Sequence, residues 1–100
     1  MRMSQMKALS LMSEEKDIII LDVRSHDEYV SGHIKGAINF PNEAISNVRP
    51  GILTDLSQTI LVYCYTGMRA GSAVRKLKRL GYKNVHNIGG IKSWPGEIVK

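Results

Sequence analysis

The chain has one cysteine, three prolines, six aromatic residues and no long apolar run, and each shortage removes a class of protein. A single thiol forms no internal disulfide and builds no cysteine-rich zinc site, so Cys64 is either inert or reactive. Nothing approaches the ~20 apolar residues of a membrane span, and Ala8 to Met12 is too short for a signal-peptide core ahead of Ser13-Glu14-Glu15. The expectation is a soluble, cytoplasmic protein without a membrane partner, in a compartment where a free thiol stays reduced. Few aromatics and no nucleic-acid motif argue against RNA or DNA as a partner.

Acid is scarce in the second half. Residues 56–100 hold 8 Lys/Arg against 1 Asp/Glu, while residues 1–55 hold 6 against 8, so the net charge of +5 is concentrated toward the C-terminus. Such a field either gathers small anions or is simply solvated. What remains is ordinary: 43% hydrophobic and 23% charged residues in 100 positions. That is one domain spanning residues 1–100, large enough to remove roughly 60–70% of its unfolded surface from water.

The periodicity alternates between strand-like and helix-like, an α/β signature. Ile18 to Val23 and Ile60 to Tyr63 are unbroken branched apolar runs of the kind found in parallel strands covered on both faces. Ser25-His26-Asp27-Glu28 carries a capping box at a helix start, with Gly32 ending a short helix. Ala70, Ala73, Val74, Leu77 and Leu80 fall on one face of a longer helix, with Arg75, Lys76, Lys78 and Arg79 around the other and Gly81 at its C-terminal cap. Shorter expectations are a helix from Ser4 to Met12, a strand over Ala37 to Phe40 and a helix over Glu43 to Val48. A last strand follows at Asn84 to Ile88, and Gly89-Gly90 opens a final turn.

In a parallel sheet, ligands bind beyond the carboxyl ends of the strands. Asp22, with Arg24 behind it, leaves one strand there, and Cys64 leaves another. Cys64 is followed by Tyr65-Thr66-Gly67-Met68-Arg69 and then the longer helix. Gly67 permits the tight loop that turns several N–H groups toward one point, an anion cradle at a helix N-terminus. Such a cradle matters because moving a thiol from a pKa of ~8.5 to roughly 6.5 takes about 2.7 kcal/mol, while a helix dipole supplies only ~0.3–1 kcal/mol. Loop N–H groups and the Arg69 cation would have to provide the rest. On spacing and composition alone, a buried structural cysteine stands level with a nucleophile.

Cys64-Tyr65-Thr66-Gly67-Met68-Arg69 resembles the active-site loop of the rhodanese homology domain. Asp22-Val23-Arg24, Glu28, Gly32-His33-Ile34-Lys35-Gly36-Ala37-Ile38-Asn39 and Pro41 resemble that family's N-terminal signature, and Gly89-Gly90 with Trp94 its C-terminal one. The resemblance covers about Ile18 to Trp94 and rests on three separated motifs in order. It implies a three-layer α/β/α domain, a central parallel sheet flanked by helices. It also implies a sulfurtransferase that moves sulfur from thiosulfate or a thiol persulfide through a Cys64 persulfide, by a ping-pong cycle and without metal or organic cofactor. Tyr65 through Arg69 would hold the persulfide, and a thiophilic small molecule or a partner protein would accept the sulfur.

Other readings are a noncatalytic binding or sulfur-relay module on the same scaffold and, further off, a phosphatase or arsenate reductase. Those last loops place five residues between cysteine and arginine, and this one places four. Asp22 and Arg24 are expected to support the crevice, with Glu28 as a partner for Arg24, and His33 to make a structural hydrogen bond in its turn. The uncharged Tyr65, Thr66 and Met68 leave Arg69 as the only loop cation, which makes a thiol persulfide or a partner protein's persulfide an alternative donor to a small dianion such as thiosulfate. The chain is thin at its edges, with little before Ser4 to supply a leading strand, so a minimal version of the fold is expected.

Overall fold

Ile60 to Cys64 is buried at every position, and this strand is the centre of the molecule. The computed structural model describes residues 2–100. In chain order the elements are helix α1 (Gln5–Glu14), strand β1 (Ile19–Asp22), helix α2 (His26–Ser31), strands β2 (His33–Ile34) and β3 (Ile38–Asn39), and a 3-10 turn at Asn42–Ala44. Strand β4 (Ile60–Cys64), helix α3 (Met68–Arg79), strand β5 (Val85–Gly90), a second 3-10 turn at Ile91–Ser93 and strand β6 (Ile98–Val99) complete them.

The main sheet runs β3-β1-β4-β5, and every pairing is parallel. Alternation divides each strand between two cores. Leu21, Val23, Ile60, Val62 and Cys64 pack toward α3 through Ala70, Ala73, Val74 and Leu77. Ile20, Leu61 and Tyr63 face the opposite way, onto Ala8 of α1, Ile34 and Trp94. Helices therefore cover both faces, and the expected three layers are present. No helix among the described residues is long and apolar enough to cross a membrane.

Local chemistry sets the element ends. Ser4 caps α1 by accepting the Lys7 N–H, and Ser25 and Glu28 complete the capping box of α2. Gly81 takes φ +104°, the left-handed conformation that stops α3. Two expectations are corrected and one strand is added. Glu43 to Val48 forms no helix beyond the 3-10 turn, because buried Ile45 is pulled extended into the core and Val48 has no apolar face to join. Gly89-Gly90 does not open a turn but continues β5, paired with Cys64. The segment after Trp94 adds β6, antiparallel to β2. Ahead of α1, Arg2 makes one isolated parallel bridge to Asn87.

Candidate active site

From the middle of the sheet the chain leads outward in opposite directions, from β1 to β3 and from β4 to β5. The carboxyl ends of β1 and β4 thus frame the crevice where parallel sheets bind ligands. Asp22 ends one strand and Cys64 the other.

Cys64 is buried, and its Sγ accepts the Gly67 N–H at 2.9 Å and the Ala70 N–H at 3.4 Å. The loop makes this turn because Gly67 sits at φ +115°, which side chains on Cβ disfavour. Ala70 lies just past the Tyr65–Arg69 stretch expected to hold the sulfur. As the third residue of α3 it has no intrahelical acceptor, and its amide serves the sulfur instead.

Around the sulfur the loop side chains diverge. Tyr65 and Met68 are exposed, at 47% and 84%. Thr66 is exposed as well. Arg69 is held from across the crevice: its Nη1 and Nη2 donate to Glu28 Oε1 and Oε2 at 2.7 and 3.0 Å. Those hydrogen bonds pull the Glu28 carboxyl down to about 2, and the same carboxylate raises Arg69. The expected Arg24–Glu28 pair is therefore corrected. Glu28 serves the loop cation, because Arg24 is already taken.

Arg24 closes on Asp22 through Nε and Nη2, the shortest bond 2.7 Å, and its backbone N–H donates to Asp22 Oδ1 at 2.9 Å. Its Nη2 also reaches the Gly32 carbonyl at 2.7 Å. Tyr63 donates its hydroxyl to Asp22 Oδ2 at 2.7 Å and accepts the Ile34 N–H at 3.1 Å. Burial, then the Asp22 hydrogen bond, pushes the Tyr63 hydroxyl far above its ordinary range. Asp22 is wholly buried, so this network braces the crevice floor rather than facing it. His33 plays a similar part, its Nδ1 2.9 Å from the Tyr29 carbonyl and its ring stacked on Tyr29.

Sequence reasoning missed three contributors. Buried Asn87 donates from Nδ2 to the Gly67 carbonyl at 3.1 Å and accepts the Gly89 N–H at 2.8 Å, tying the loop to β5. Gly90 lies directly under the loop, where a Cβ would collide with the Tyr65 carbonyl. Lys92 donates its backbone N–H to that carbonyl and sets its amine 6.0 Å from the Tyr65 ring centroid. Each acts across twenty or more residues of chain, where local pattern carries no signal. No cluster of three metal-ligating side chains forms among the described residues.

The chain is similar to thiosulfate sulfurtransferase PspE of Escherichia coli, 36% identical over 72 residues, which is 72% of this chain and 69% of that protein. It is also similar to thiosulfate sulfurtransferase GlpE of Pseudomonas entomophila, 35% identical over 104 aligned positions covering 99% and 92% of the two chains. Among solved structures, a rhodanese with anions from E. coli superposes with a TM-score of 0.73 at 36% identity, over 83% of this chain and 98% of that one. The human single-domain sulfurtransferase TSTD1 gives a TM-score of 0.79 at 26% identity, over 89% and 88%. The model of the Rhodanese-like domain matches residues 5–97, and the chain belongs to that family.

Proposed function

We propose that this protein is a sulfurtransferase working through a persulfide on Cys64. The observation that carries the reading is the Cys64 sulfur itself, at a strand end under two converging backbone N–H groups. A structural cysteine needs neither donor, whereas a thiolate is stabilised by both.

The cycle is two displacements at sulfur. The Cys64 thiolate attacks the outer sulfur of a sulfane donor, the donor's S–S bond breaks, and its electron pair leaves as sulfite from thiosulfate or as a thiolate from a thiol persulfide. The new terminal sulfur lies at the open first turn of α3, where the Met68 and Arg69 amides lack intrahelical acceptors and can hold it. An acceptor, namely cyanide, a thiol or a partner protein's thiolate, then attacks that sulfur. The Cys64–sulfur bond breaks and the thiolate returns. Donor and acceptor supply all the electrons, so the cycle uses no further cofactor. Asp22 and Arg24 support the floor without touching substrate. A reducing compartment such as the cytoplasm keeps the thiol available.

The test is intact-mass analysis of reduced protein after exposure to thiosulfate or to glutathione persulfide, beside Cys64→Ser. One added sulfur, absent from Cys64→Ser and removed by cyanide or thiol, is the expected result. No adduct from either donor on folded, reduced protein would overturn the reading in favour of a noncatalytic module.

A further inference from the structure

Arg69 is the only charged side chain of the catalytic loop, and Glu28 has already engaged it through both of its terminal nitrogens. The other pair at the crevice, Asp22 with Arg24, is likewise closed on itself. The charges of both pairs therefore cancel internally. Of the cations that no carboxylate engages among the described residues, Lys92 sets its amine against the Tyr65 ring and Arg2 lays its guanidinium against the backbone of Gly67 and Gly89. The exposed loop side chains Tyr65 and Met68 are aromatic and apolar. A donor approaching Cys64 thus meets a neutralised cation and an oily rim.

Sulfane donors differ in where they carry charge. Thiosulfate joins its reacting sulfur to a sulfonate and carries two negative charges, whereas a thiol persulfide joins it to an inner sulfur that bears an alkyl group and carries at most one. Taking a dianion out of water beside a thiolate calls for an uncompensated cation more strongly than a neutral or singly charged persulfide does.

Resting on the sulfurtransferase reading, we propose that Glu28 sets the donor selectivity of this site, holding Arg69 neutralised so that Cys64 takes sulfur from thiol persulfides in preference to thiosulfate. Glu28 is a positioning residue, acting through the Arg69 guanidinium rather than on substrate. Removing its charge leaves a free cation beside the sulfur, and the gain falls mainly on the donor with the most concentrated charge.

Glu28→Gln is the informative variant, because glutamine at the third helical position also completes a capping box and α2 keeps its start. The measurement is kcat/KM for loading Cys64 from thiosulfate and from cysteine persulfide, in both proteins, at low ionic strength. The wild type should favour cysteine persulfide, and Glu28→Gln should move the ratio about tenfold toward thiosulfate, mainly through KM, as expected for one charge removed several ångströms from a dianion. Added salt should shrink the difference. Structural loosening alone would slow both donors together and leave the ratio in place. A ratio within twofold of wild type, with both donors still loading Cys64, overturns the role of Glu28 and leaves the sulfurtransferase reading standing. Failure of both donors to load the wild type overturns that reading, and the selectivity falls with it.

Discussion

Gly90→Ala is a one-methyl change far along the chain from Cys64, and it should disable the site. Gly90 adopts φ −129° and ψ 153°, an extended conformation open to any residue, so backbone preference does not explain a glycine there. Space does. The added methyl would fall onto the Tyr65 carbonyl and 2.6 Å from Thr66 Cα. Carbon atoms rest at roughly 3.5–4.0 Å, so about 1 Å of movement is demanded. The obstructing atoms are backbone, and no flexible side chain can swing aside. β5 is also held: Gly90 is in register with Cys64, and its carbonyl accepts the Gln5 amide at 2.9 Å.

The relief must therefore come from the loop, and a shift of about 1 Å would stretch and weaken the 2.9 Å hydrogen bond from the Gly67 N–H to the Cys64 sulfur. Overpacking of this kind costs about 1–3 kcal/mol, and at ~4–8 °C per kcal/mol in a domain of this size the Tm should fall by roughly 5–20 °C. Weakening that hydrogen bond to a charged sulfur should slow persulfide loading about tenfold in the protein that remains folded. Gly51→Ala is the control, since a Cβ there meets nothing within 4 Å. Thermal melts and stopped-flow loading measured side by side decide the matter. A Gly90→Ala protein indistinguishable from wild type in both would refute the claim that this glycine shapes the loop.

Asn87→Ala removes the ties to Gly67 and Gly89 at once, and should cost about 2–3 kcal/mol in urea denaturation while slowing loading further than that loss explains; unchanged loading would show that the loop holds its shape without it. Tyr63→Phe strips the hydroxyl from both Asp22 and the Ile34 amide, and should cost about 2–4 kcal/mol in the same assay; a loss under about 0.5 kcal/mol would mean the network is not taut. The Glu28–Arg69 pair gives a pH signature, because the Glu28 carboxyl is lowered from 4.5 to about 2 by its Arg69 hydrogen bonds. A depressed carboxyl stabilises the fold fully above its unfolded value and loses that contribution as pH falls toward the folded one. The stability gap between wild type and Glu28→Gln should thus be present at pH 7 and close between pH 4.5 and 2. With both side chains more than a third exposed, solvent screening limits the gap to about 1 kcal/mol. A gap that survives to pH 2 would point away from the ion pair.

Sequence alone reached the elements whose signals are local. β1 and β4 are continuous branched runs, α3 has a complete apolar face, and Ser25 to Glu28 carries a cap that needs four residues to recognise. The position of Cys64 between strand and helix followed from those. What stayed hidden was pairing over distance. Arg24 and Glu28 are four residues apart and of opposite charge, yet the strand exit folds Arg24 back on Asp22 and frees Glu28 for Arg69, 41 positions away. Gly89-Gly90 read as a turn, and only the sheet order shows that the pair continues β5 beneath the loop that follows Cys64. β6 has two residues and pairs with two more, too few for any periodicity to register.

The alternation of β4 separates what holds the crevice from what works in it. Tyr63 points to the α1 side of the sheet, where its hydroxyl joins Asp22, Arg24 and the Ile34 amide. Cys64, one residue later, points to the α3 side, where the Gly67 and Ala70 amides meet its sulfur. A substitution below the sheet should therefore lower stability while each folded molecule still loads sulfur at close to the wild-type rate. One above it, at Asn87, should depress loading beyond its effect on stability. Comparing Tyr63→Phe with Asn87→Ala under conditions where both are fully folded separates the two faces. Equal loss of loading in both variants would mean that the buried ion network transmits strain through the sheet to the sulfur, and that Asp22 and Arg24 belong to the reaction rather than to its foundation.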